Sequence, residues 1–101
     1  MTAQGQSAFR KLTKLGAPVQ TSVWNGVEFK LDLVDGCFQQ ETWAISPESK
    51  DRRSRRLRRK GWKYGLNPKF ARILKNHHLT ASWQSDHVLN VYVEKGEPVN
   101  A

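Results

Sequence analysis

The chain has 101 residues, 38% of them hydrophobic and 10% aromatic, which excludes a disordered basic tail and fits one domain that buries roughly 65% of its unfolded surface. No apolar run approaches the roughly 20 residues of a membrane span, residues 1–7 lack a secretory apolar stretch, and Cys37 has no second cysteine to pair with, so a cytoplasmic, reducing compartment is expected. The net charge is +8, and its distribution is uneven: nine bases and one acid, Asp51, lie in residues 50–63, while the remaining eight bases and eight acids cancel.

Residues 1–6 and 96–101 are expected to be flexible tails. Residues 7–15 predict a short helix, with Ser7 as N-cap, Phe9, Leu12 and Leu15 on one side and Gly16 as the stop. After Pro18, Val19, Thr21 and Val23 alternate, and so do Val27, Phe29, Leu31 and Leu33. A two-residue turn at Asn25-Gly26 would set the two apolar rows on opposite faces. A three-residue loop, Trp24-Asn25-Gly26 with Gly26 left-handed, pairs Val23 with Val27 and aligns them. Asp35-Gly36 marks a second turn into a third strand at 37–45, and a three-stranded antiparallel meander is expected.

Ser46-Pro47-Glu48 has the order of a helix start: a hydroxyl cap, proline at the first helical position and an acid in the first turn. It predicts an arginine-rich helix over 47–60, ended by Gly61. Leu57 is its one large aliphatic residue, so the helix has little to dock with and is expected to draw order from an anionic partner. Asn67-Pro68 opens another helix, with Phe70, Ile73, Leu74 and His77 at helical spacing. Residues 79–84 and 88–94, turning at Ser85-Asp86, read as a final hairpin. The expected fold class is α+β: a small antiparallel sheet, made of the meander and the C-terminal hairpin, with two to three short helices in a single domain.

The segment that carries chemistry is 50–63, where Lys50, Arg52, Arg53, Arg55, Arg56, Arg58, Arg59, Lys60 and Lys63 gather. Guanidinium groups fork onto phosphate oxygens or a guanine edge, and a helix carrying one on nearly every side is a surface for a polyanion. Six phosphate contacts would give a slope of log affinity against log salt of roughly −4 to −5. Trp62 and Tyr64 follow, interleaved with lysines between two glycines. Such rings stack on unpaired bases at about 1 to 3 kcal/mol each, which suits RNA or single-stranded DNA better than an intact duplex. The competing role for both rings is to anchor the basic helix to the core. Trp24 is a further stacking candidate at a hairpin tip, whereas Trp43 and Trp83 sit in expected strands and read as core.

Other readings are weaker. A solvated basic face or a nuclear address would explain the arginine run without a ligand. His77 and His78 are adjacent, so on a helix they point about 100° apart and do not share a metal; a helix-face or dipole role for His77 is expected instead. No glycine-rich phosphate loop, nucleophile elbow or placed carboxylate pair appears, so no cofactor, metal or catalytic residue is assigned. The expectation is a non-enzymatic nucleic-acid-binding protein. The alternatives are a small regulator or inhibitor of mobile-element type docking its basic helix on an acidic protein partner, a ribosome-associated protein, and a basic mRNA-cleaving toxin, which is matched only in size and charge.

Overall fold

The computed structural model describes residues 1–33 and 43–94. In chain order it contains α1 (Ala3–Lys14), β1 (Val19–Gln20), β2 (Phe29–Asp32), α2 (Arg52–Arg59), α3 (Pro68–Asn76), β3 (Leu79–Trp83) and β4 (Val88–Val93). The strands form one antiparallel sheet in the order β1-β2-β4-β3, so the chain is an α+β protein.

The period of two along each strand builds the core face. Phe29, Val91 and Ala81 lie in one cross-strand row and Leu31, Leu89 and Trp83 in the next. Against this face α1 lays Ala8 and Leu12, and α3 lays Phe70, Ile73 and Leu74. Phe9 meets Phe29 edge-on at 5.5 Å and Trp43 meets Phe70 at 6.5 Å between ring centroids, geometries in which the positive ring edge faces the negative ring face. The alternate row, with Lys30, Asn90 and Ser82 in register, points the other way.

The first helix starts earlier than its sequence signals. Thr2, not Ser7, is the cap: its hydroxyl oxygen accepts from the Gly5 N–H at 3.0 Å. The Thr2 hydroxyl and backbone N–H both donate to Glu28, at 2.6 and 2.8 Å. Residues 3–6 are therefore helical and tied to the hairpin, and the expected frayed tail is corrected. Gly5 is buried there, and a Cβ on it would collide with the Glu28 carboxylate. At the other end Gly16 takes φ +90°, and the Ala17 N–H reaches back to the Leu12 carbonyl at 2.9 Å, the closure that a left-handed glycine permits.

The first hairpin has the expected frame, with Val19 opposite Leu31 and Gln20 opposite Lys30. Its ladder stops after those two pairs. Ser22 accepts from the Trp24 N–H at 3.2 Å, a local bond that competes with strand pairing, and Val23 is 96% exposed. The expected three-stranded meander is also corrected. Both sides of β2 are occupied, by β1 and β4, and Ala44 bridges Leu66 rather than the sheet. The rest of the expected third strand and the Asp35-Gly36 turn lie outside the described residues, as does the expected tail at 96–101.

The final hairpin and α3 form as their sequences predict. Asn67 caps α3 by accepting from the Lys69 N–H at 2.8 Å, with Pro68 at the first position. His77 closes it, its Nδ1–H donating to the Ile73 carbonyl at 2.8 Å. Among the described residues no helix is long and apolar enough to cross a membrane.

Candidate nucleic-acid interface

The arginine-rich helix is shorter than expected because a better cap lies inside the segment. Asp51 accepts from the Ser54 N–H at 2.8 Å, and α2 begins at Arg52, not at Pro47. The bond to that N–H, then one from the Ser54 hydroxyl, holds the Asp51 carboxyl below its ordinary value of 3.8. Residues 46–49 instead form a turn, in which Ser46 Oγ accepts from the Glu48 N–H at 3.1 Å and the Ser46 carbonyl from the Ser49 N–H at 3.0 Å. Gly61 ends α2 as its sequence predicts, at φ +105°, with the Trp62 N–H returning to the Leu57 carbonyl at 3.1 Å.

The helix does dock, by polar means. At 100° per residue Ser54, Leu57 and Arg58 share one side. Ser54 is 5% exposed, its hydroxyl 2.6 Å from that of Ser49. Leu57 is half-buried. Arg58 folds inward, its guanidinium donating to the Ser49 carbonyl at 2.9 Å and the Ser46 carbonyl at 3.1 Å. So the expectation of arginines on nearly every side is corrected: one arginine serves as a clamp on the preceding turn. Arg55, Arg59, Arg52, Arg56 and Arg53 fan over the opposite arc, all exposed. Among the described residues Arg52, Arg55, Arg56 and Arg59 make no ion pair or side-chain hydrogen bond. Lys50, Lys60 and Lys63 are exposed beside them.

The next segment is folded back by a short bridge. The Ile45 N–H donates to the Gly65 carbonyl at 2.7 Å and the Asn67 N–H to the Trp43 carbonyl at 3.0 Å. Gly65 is buried at φ +79°, and a Cβ on it would lie 2.7 Å from the Ile45 carbonyl oxygen, so only glycine fits this close approach. The turn at Lys63–Gly65 puts Tyr64 at φ 58°, in the left-handed region, with 79% of its surface exposed. The indole N–H of Trp83 donates to the Tyr64 carbonyl at 3.2 Å, and the Lys63 ammonium lies 5.9 Å from the Tyr64 ring centroid.

Between this turn and α2 opens a groove of about 400 Å³ lined by Pro47, Lys50, Arg55, Arg58, Tyr64 and Trp83. Of the sequence-predicted residues it brings Lys50, Arg55, Arg58 and Tyr64 together. Trp62 is half-buried and outside the groove lining, and Trp24 stands 59% exposed on the hairpin tip. Trp83 is the residue that sequence reasoning missed: it packs on the core and also lines the groove. Its signal was position, since it ends the inward row Leu79-Ala81-Trp83, where a large ring overhangs the last layer of the core.

The histidines are elsewhere in role. His78, exposed, takes a left-handed φ of 57° after α3, and His87, half-buried, pairs with Asp86 at 2.9 Å. No group of three or more His, Cys, Asp or Glu able to hold a metal occurs among the described residues. Comparison of the chain with known protein families, curated proteins and solved structures finds no match.

Proposed function

We propose that this protein binds nucleic acid without catalysing a reaction, taking RNA or single-stranded DNA in preference to duplex DNA. The observation that carries the reading is the division of α2 into two arcs. One is committed to the fold through Ser54, Leu57 and Arg58, and the other displays Arg52, Arg53, Arg55, Arg56 and Arg59 to solvent. Self-repulsion among five guanidinium groups on two helical turns opposes folding, and an array of phosphates relieves it by releasing condensed counterions. Stability alone would be better served by glutamates interleaved at helical spacing.

The test is fluorescence-anisotropy binding of labelled single-stranded RNA, single-stranded DNA and duplex DNA over a salt series. Wild type is compared with a variant in which Arg52, Arg55, Arg56 and Arg59 are alanine and Arg58 is kept for the fold. Loss of four phosphate contacts should flatten the slope of log affinity against log salt by about 3 on a single strand, with thermal stability kept or raised as the self-repulsion is relieved. Absence of binding to all three by wild type at low salt would overturn the reading and redirect the arginine face to an acidic protein.

A further inference from the structure

We propose that the groove between α2 and the Tyr64 turn seats one unpaired nucleotide, with its base against Tyr64 and Trp83 and its phosphate against Lys50 and Arg55. This rests on the nucleic-acid reading above and adds to it the seat of one unpaired nucleotide and the residues that select a single strand. The groove, at about 400 Å³, lies near the lower end of the range for small-ligand sites, which suits a single nucleotide unit. Its lining sets three cations, of which Arg58 is tied to the preceding turn, and two aromatic residues around one space. That pairing matches a nucleotide, in which a flat base and an anionic phosphate are joined within a few ångströms. A base within a duplex has both faces stacked on its neighbours, so a ring that offers only its face gains nothing from it.

The backbone points the same way. A bulky residue in the left-handed region is an outlier, and such strain persists where the surroundings hold it in place. Here Tyr64 is held by the Trp83 indole on its carbonyl and by the Ile45-Gly65 bond on the next residue. The return for this strain is a ring left 79% exposed beside a cationic wall. Packing alone would have turned the ring inward.

Tyr64→Ala removes the stacking face at a position whose exposure leaves the core untouched; circular dichroism verifies the fold. The probes are one short RNA, the single-stranded DNA of the same sequence and its annealed DNA duplex, each across a salt series. The variant should bind single strands roughly 5- to 150-fold more weakly, the range for one lost stacked base, with unchanged salt slope and unchanged duplex affinity. Trp83→Phe, which keeps a ring but loses the donor to Tyr64, should weaken the same single strands to a lesser degree. A loss in RNA alone or in both single strands supports the inference and identifies the sugar preferred. Steep salt-dependent binding by wild type that Tyr64→Ala leaves unchanged, or weakens equally for the duplex, overturns the groove and spares the arginine face. No binding by wild type overturns both.

Discussion

α3 and α2 are of nearly equal length, nine and eight residues, and each starts on a side-chain cap. α3 sets Phe70, Ile73 and Leu74 into the core, and α2 sets a serine, a half-buried leucine and the stem of an arginine onto a turn. The difference separates two ways of fixing a helix. Apolar burial is non-directional and couples α3 to every layer it touches, whereas hydrogen bonds to two carbonyls hold α2 at one orientation and leave most of its circumference free. A helix meant to present charge on a wide arc gains from the second arrangement, because an apolar stripe would occupy surface that the arginines use.

The largest effect should come from the apolar side of this contrast. Phe70→Ala empties a fully buried site in contact with Trp43, and global stability in chemical denaturation should fall by about 3 to 5 kcal/mol. Arg58→Ala should cost less, about 1 to 3 kcal/mol for two charge-assisted bonds at a half-buried site. Its loss should appear as faster amide hydrogen exchange confined to α2. If Arg58→Ala lowers the global midpoint as much as Phe70→Ala does, α2 belongs to the cooperative core and the contrast fails.

The smallest effect is a pH dependence of α2. The Asp51 carboxyl titrates below its ordinary value in the folded chain, so its contribution is complete above 3.8 and is lost as the pH falls through the folded value. Protection of the Ser54 amide against exchange should therefore fall in acid more than that of α3 amides. Asp51→Asn, which caps without a charge, should remove that difference. An unchanged acid response in the variant would show that the cap does not control this end of the helix.

Local signals were legible in the sequence. Asn67-Pro68 with Phe70, Ile73 and Leu74, the stops at Gly16 and Gly61, the final hairpin and the pairing frame of the first hairpin all depend on neighbours within a few residues, and all stand in the structure. What was not legible depends on partners far along the chain. Thr2 caps α1 in company with Glu28, 26 residues away. Both sides of β2 are taken because β4 returns to it. The start of α2 was ambiguous for another reason: Ser46 and Asp51 are both good caps, and Asp51 prevails while residues 46–49 turn to accept Arg58. For the candidate site, the cationic residues were legible as a run, but the inward turn of Arg58 and the arrival of Trp83 beside Tyr64 were not.

The hydrogen bond from Trp83 to the Tyr64 carbonyl spans 19 residues, and it separates what a fragment of this chain could inherit from what it could not. A peptide of residues 46–65 would carry the whole arginine arc and Tyr64, but not the indole that pins the turn or the segment 43–45 that folds it back. On the proposed reading, attraction to polyanions would be portable and could be grafted onto another protein as a tag, whereas discrimination between polyanions would belong to the intact sheet.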